Sequence, residues 1–398
     1  MPPTPNPASL RATARRGVFF VALVLLAPPV AEATPQFARR YERPCGSCHL
    51  LPPALNEHGL AFQASGYLLP SRPETTRPRE RSHLLPMAAW LTARSEDQAA
   101  PGASDLYLPK VELISGGRWG ESWSYFVEWR PVSLSLRRDG SLQDRGGRFE
   151  DLFVERSLGE RHALRVGQFR SLNQVDVSLR LSASEPLLFN NGLPTGSHRS
   201  ARLASLDRFS PAARSPSIGY SFRSRAEAGT GDGLFAFVSL PFVGELSIPL
   251  SAEASREASF ELQGPPKGVY VETFNRRGLR SFGGHVFVAD EAWLATAVGV
   301  FDLRGWLLTG GVGTDHRDGA GSRWRGSAQL ERFFTGPGDA RFAPGLRVED
   351  VGGDGNRATL VPYLALAAPS TRYTYLLQLE WRSEESGDSL VVDLSAIF

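Results

Sequence analysis

The last ten residues, "SLVVDLSAIF" (389–398), alternate along their whole length, with Leu390, Val392, Leu394, Ala396 and Phe398 on one face and Val391, Asp393, Ser395 and Ile397 on the other. The segment before it, "TRYTYLLQLEWR" (371–382), gathers Tyr373, Tyr375, Leu377, Leu379 and Trp381 on one face and turns Arg372, Thr374, Gln378, Glu380 and Arg382 the opposite way. "ESWSYFVEWR" (121–130) sets Trp123, Tyr125, Val127 and Trp129 against Ser122, Ser124, Glu128 and Arg130, and "SRWRGSAQLER" (322–332) puts Arg323, Arg325, Ser327, Gln329 and Glu331 together. A side-chain period of two belongs to the β-strand.

Soluble sandwiches alternate too, so the discriminating feature is what each face carries. Trp and Tyr sit toward the ends of the apolar face, as interfacial girdles do, while the other face is dense in charge. Segments of about 10 residues with an apolar outward face and a polar inward one are the signature of a transmembrane antiparallel β-barrel. The fold class expected is therefore all-β, a barrel of about 16 strands over residues 84–398. Candidate strands fall near 84–94, 105–116, 121–132, 149–157, 161–170, 177–184, 214–224, 232–241, 267–276, 280–289, 294–303, 305–315, 322–334, 341–350, 357–367, 371–382 and 388–398. Such barrels have an even number of strands, so one of these seventeen spans is surplus, and 177–184 is the weakest. Residues 185–213 form a long loop that either enters the lumen or caps the outside. The terminal Phe398 after an alternating strand resembles the assembly signal of outer-membrane barrels, and "LRVGQFR" (164–170) with the loop after it resembles the strand-and-constriction pattern of anion-selective porins.

Ahead of the barrel, "RPCGSCHLLP" (43–52) packs Cys45, Cys48 and His49, the chain's two cysteines and a histidine, into five residues. C-x-x-C-H is a c-type haem attachment pattern: two thiols can add to two haem vinyl groups, and the adjacent imidazole falls on the proximal side of the iron. Structural zinc would need two more Cys or His ligands at comparable spacing. A thioredoxin-like pair would need a βαβ context, and a plain disulfide stays open. Residues 1–33 read as a secretory signal peptide, with Arg11, Arg15 and Arg16, then the apolar "GVFFVALVLLAPPV", then Ala31-Glu32-Ala33 as the cleavage site. The expectation is export, with cleavage near Ala33. The 44 basic and 42 acidic side chains leave a formal +2, which gives no field for nucleic acid.

Residues 34–83 are expected to form a monohaem cytochrome c-like module of one attachment loop and one helix. Leu55, His58 and Phe62 are spaced to share a helical face, a wall for haem packing by Leu55 and Phe62. The lead Phe37-Ala38-Arg39-x-Tyr41, the motif itself, Pro53 to Asn56, Gly59, Phe62 and Gly66-Tyr67, followed by a porin-like region, resemble the fused monohaem cytochrome c-porins of Gram-negative outer membranes, a family that includes iron oxidases. The match covers about 35 residues. The resemblance implies one covalent haem c in or at the barrel, His49 as proximal ligand, and electron transfer between an extracellular donor or acceptor, Fe(II) among the candidates, and a periplasmic soluble cytochrome. The haem module would then lie on the periplasmic side or in the lumen.

The distal ligand stays open among Met87, His58, His83 and an unfilled position. Loops assigned to the outside carry Glu384, Glu385, Asp354, Asp315, Asp318, Asp290 and Glu291 against Arg317, so an acidic outer mouth that concentrates cations is expected. Two functions stand: an electron-transfer protein, and a diffusion porin in which the module is a plug or assembly element. A peroxidase or gas-binding haem is a third and weaker reading, without an acid–base pair beside the motif to support it.

Overall fold

The structure is a computed structural model that describes residues 36–41, 43–64, 87–96, 106–119, 122–136, 142–144, 146–170, 181, 214–224, 232–247, 259–266, 268–289, 292–317, 321–337, 340–351, 358–369, 374–384 and 387–397. The expected signal peptide, His83, Gly66 and Phe398 lie outside the described residues. Among those described, sixteen long antiparallel strands close into a barrel. They are β1 (Met87–Glu96), β2 (Leu106–Trp119), β3 (Trp123–Val132), β4 (Arg148–Ser157), β5 (His162–Arg170), β6 (Arg214–Arg223), β7 (Gly233–Ser247), β8 (Gly268–Arg277), β9 (Arg280–Ala289), β10 (Ala292–Leu303), β11 (Trp306–Arg317), β12 (Gly321–Arg332), β13 (Arg341–Val351), β14 (Thr359–Pro369), β15 (Thr374–Glu384) and β16 (Gly387–Ile397).

Sixteen of the seventeen expected spans have a counterpart, most with boundaries within two or three residues. The exception is 177–184, of which only Leu181 is described, and Leu181 is not in a strand. The expected loop at 315–321 begins later, because β11 continues to Arg317 and pairs there with Gly321.

Closure comes from β16 pairing with β1, Ile397 opposite Trp90 and Val391 opposite Glu96. Two side-chain links cross this seam. Arg94 donates from Nε and Nη2 to the two carboxylate oxygens of Asp393, both at 2.7 Å, and Thr92 Oγ1 lies 2.8 Å from Ser395 Oγ. The chain turns tightly at the end where β1 begins and β16 ends. At Arg304-Gly305 both residues have positive φ, 57° and 88°, the two-residue turn whose twist matches a hairpin. The longest interval between consecutive strands, 171–213, separates the ends of β5 and β6 that lie at the opposite end. Short turns on the periplasmic side and long loops outside are the rule in these barrels, so the end carrying both barrel termini is the periplasmic mouth.

Polarity is inverted relative to a soluble protein. Val271, Val286, Val312, Trp324, Leu346 and Trp381 are exposed on the outer wall, while Glu272, His285, Arg325, Glu331, Arg347 and Glu380 are buried on the inner one. The outer band needs hydrocarbon as its solvent, and many of the inner charges pair with each other: Arg165 with Glu155 at 2.7 Å, Arg325 with Asp315 at 2.9 Å, Arg347 with Glu349 at 3.1 Å and Arg382 with Glu380 at 2.5 Å. Another part of the inner wall is aromatic, with Phe153, Phe169, Phe235, Phe237, Tyr270, Phe274 and Phe287 in one cluster. The barrel is a membrane-spanning one of the outer-membrane type.

Val312, near the middle of β11 and 63% exposed, tests this orientation. Val312→Arg is expected to cost about 2–4 kcal/mol of stability in lipid vesicles, the penalty for a cation on the lipid face near the midplane, read as a lower urea midpoint. An unchanged midpoint would put this face in water.

Candidate functional site

The segment before the barrel is a small folded unit: helix α1 (Gln36–Tyr41), a tight turn at Cys45–Ser47, a short antiparallel pair of His49–Leu51 with Ala54–Leu55, and helix α2 (Glu57–Ala64). Its turn is built by Cys48 N–H donating to the Cys45 carbonyl at 3.1 Å and Ser47 N–H to the Pro44 carbonyl at 2.9 Å. That closure puts Cys45 and Cys48 on successive corners of one loop with His49 directly after. Both thiols are free and half-buried.

Asn56 holds the loop to the helix. Its Oδ1 caps α2 by accepting from Gly59 N–H at 2.9 Å, and its Nδ2 donates to the Ser47 carbonyl at 3.1 Å and, more weakly, to that of Gly46 at 3.4 Å. Asn56 N–H also donates to the Cys48 carbonyl at 2.9 Å. Gly59 faces that carbonyl so closely that a side-chain carbon would collide with it. The spacing of Pro53 to Asn56 and Gly59 therefore has a local physical reason.

The unit sits in the periplasmic mouth of the barrel. Arg341, the first residue of β13, donates from Nη1 to the carbonyls of His49 and Leu50 at 2.6 and 2.9 Å, and Gly46 lies against its guanidinium, which a side chain at that position would displace. Thr374 Oγ1, at the start of β15, is 3.5 Å from Cys45 Sγ. Leu51 and Ala54 are fully buried with Ala343, Tyr363, Ala365, Ala367 and Leu376 of the wall and with Leu181. The carbonyl of Leu181 accepts from Gln378 Nε2 at 2.6 Å, so the connection between β5 and β6 enters the lumen at this residue. Phe37 approaches Gly116 of β2, and Glu57 approaches Gly278 in the β8–β9 turn. These contacts reach three separated sectors of the sixteen-strand ring, so the unit bridges the mouth.

Burial governs the chemistry of the three motif residues. It pushes the His49 imidazole down to about 4, helped by the Arg341 charge and opposed by the carbonyls of Pro53 and Ala54. The ring is neutral at ordinary pH, and its Nδ1 is buried without a hydrogen-bond partner. Burial raises the Cys48 thiol against the opposing effects of the Ser47 hydroxyl and Arg43. A thioredoxin-like pair needs a lowered thiol instead. Among the described residues no three His, Cys, Asp or Glu side chains gather as a metal cluster.

The other residues singled out from the sequence are placed as follows. Leu55 is buried opposite His49 in the short pair. Phe62 packs edge-on against Phe37 and Tyr41, ring centres 5.1 and 5.5 Å away. His58 is half-buried with Nε2 at 3.4 Å from Arg43 Nη1, and burial followed by that charge lowers its basicity. Met87 opens β1 opposite Ser115. In the alternation of that strand Ala88, Trp90, Thr92 and Arg94 face the lumen, so Met87 has the outward register. Of the acids expected to crowd the outer mouth, Asp315 lies in β11 and is paired with Arg325; Asp290, Glu291, Asp318, Asp354 and Glu385 are outside the described residues. Arg341, Thr374 and Leu181 were not flagged by any local pattern.

No family model matches the chain, and no curated protein matches it. Solved structures with a similar barrel include an anion-selective porin from Comamonas acidovorans (12% identity, 78% of this chain and 98% of that one, TM-score 0.47). An OmpF from Salmonella typhi in complex with daunomycin (11%, 78% and 97%, TM-score 0.47) and the channel DcaP of Acinetobacter baumannii (11%, 78% and 96%, TM-score 0.44) are also similar. Likeness at this level carries no functional argument, and the barrel stands on its own strand pairing.

Loss of the Asn56 cap is the sharpest test of the unit's internal order. Asn56→Ala is expected to cost about 1–2 kcal/mol, the range for an N-cap, and to hasten protease cleavage between residues 43 and 64 while the barrel stays resistant. Equal cleavage rates would show that the loop is held without it.

Proposed function

We propose that this chain is an electron-transfer protein of the Gram-negative outer membrane, carrying one covalent haem c at the periplasmic mouth of its barrel. The observation that carries this reading is the seating of the Cys45–Cys48–His49 turn in the mouth by Arg341 and Thr374. The donor set fits the group: two free thiols on one turn, a neutral imidazole after them, and an enclosed Nδ1 still without a partner. Cys45 and Cys48 would hold the haem covalently and His49 would ligate its iron. When bound, the haem supplies a one-electron couple whose potential follows its axial ligands and surroundings.

The chain's own residues would do the rest. Asn56 fixes the attachment loop, Leu51 and Ala54 anchor it in the wall, and the tightly buried lumen excludes bulk water. Glu331 and Tyr270 are 0% exposed and Arg347 1%, values at odds with side chains lining an open aqueous channel. His58 is the distal candidate nearer the motif, through Arg43, whereas the outward register of Met87 weighs against it. An extracellular donor, Fe(II) among the candidates, would give up its electron on the far side of the barrel, and a periplasmic soluble cytochrome would exchange electrons at the near mouth.

A second reading is favoured by a separate observation. The seat of the unit is ordinary packing and hydrogen bonding to the wall, as a plug or assembly element of a diffusion porin would require.

The two readings part in one experiment on the full-length protein, expressed with haem-maturation machinery and extracted in detergent. Electron transfer predicts a c-type spectrum that is lost in the Cys45→Ala/Cys48→Ala double variant, rapid reduction by added Fe(II) or another small reductant, and little ion conductance in a planar bilayer. Free conductance with no haem, or with haem that no reductant reaches, would leave the porin reading in its place.

A further inference from the structure

Arg341 differs from five other arginines of the inner wall. Arg94, Arg165, Arg325, Arg347 and Arg382 each meet a carboxylate within 3.1 Å. Arg341 meets none among the described residues; its Nη1 is given to the carbonyls of His49 and Leu50, and its Nε is buried without a partner. Arg341 is half-buried, and its charge is kept beside the one imidazole that follows the two cysteines. Gly46 between those cysteines lies against the guanidinium, which a side chain there would displace.

Resting on the haem reading above, we propose that Arg341 is a positioning residue that both seats the attachment loop and sets the redox balance of the iron. The seat is geometric: one nitrogen held by two successive carbonyls fixes the backbone of His49 relative to β13. The redox effect is electrostatic. The ferric state carries one more positive charge than the ferrous state, so a fixed cation beside that imidazole disfavours the ferric form. Among the described residues no carboxylate pairs with it. Arg341 therefore biases the site toward the reduced form, which suits a centre that must accept electrons from a weak reductant. Thr374 adds a second tie from the wall, because a sulfur engaged in a thioether still accepts a weak hydrogen bond.

Three full-length proteins in detergent, the natural one, Arg341→Gln and Arg341→Lys, separate the two roles. The readouts are the c-type spectrum, the ferrous-to-ferric ratio at fixed ambient potential, and the rate at which protease releases the N-terminal unit from the barrel. Arg341→Gln is expected to keep covalent haem, lower the ferrous-to-ferric ratio about tenfold, equivalent to about 59 mV for one electron, and release the unit faster. Arg341→Lys keeps the charge but changes the donor geometry, so its ratio should stay within about twofold of the natural protein while release still quickens. A natural protein without a c-type spectrum overturns the haem reading and this proposal with it. Covalent haem with an unshifted ratio in Arg341→Gln overturns the electrostatic role alone. Equal ratio losses in both variants would reduce Arg341 to a structural seat, which also overturns it.

Discussion

Closure of the sheet is the constraint on which everything else in this molecule depends. In hydrocarbon an unpaired strand edge leaves each N–H and C=O without a partner, at several kcal/mol apiece, so the first and last strands must find each other. The pairing of β16 with β1 does this across nearly the whole sequence, and the bidentate Arg94–Asp393 pair with the Thr92–Ser395 contact fixes its register from the inside. Register matters because a slip of one residue would exchange the lipid and lumen faces of the strand. A charged pair that can form only inside specifies the face as well as the partner.

Once the ring is closed, its inside acts as an interior. The inner wall combines ion pairs with an aromatic cluster, and the N-terminal unit completes part of that interior with Leu51 and Ala54. A segment of this size cannot bury enough apolar surface to hold a rigid fold alone. The barrel supplies the missing wall, and the unit in turn occupies the mouth. Stability of the small part and occlusion of the large part are thus one set of contacts.

Much of this was legible in the sequence, for a definite reason. Strands with a side-chain period of two and opposite solvents on their faces announce themselves locally, and the opposed sets have, over the described residues 374–382 and 389–397, the inward and outward senses expected of them. The C-x-x-C-H turn and the Asn56 cap are local too, each built within a dozen residues. The ties between the two parts were not legible. Arg341 lies 292 residues from His49 and Thr374 lies 329 from Cys45, and nothing near either residue marks it. Met87 shows the same limit from the other side: a methionine at the entrance of a barrel invites a ligand role, but its direction depends on a register that the sequence alone does not give. Asp315, expected in a loop, lies in a strand that runs two residues past the expected end, which sets it opposite Arg323 and in an ion pair with Arg325 rather than in solvent.

This division of labour bears on how such a site could be tuned. A self-contained electron carrier adjusts its centre with residues from its own small core. Here the backbone of the motif histidine is held from β13, the first motif cysteine is approached from β15, and the apolar floor comes from β13, β14 and β15 together. A change in the barrel wall can therefore alter how the motif is held without touching it, and a change in the motif loop is felt in the packing of the wall. Two parts that look separable in the sequence are physically one site, so selection on either acts on both.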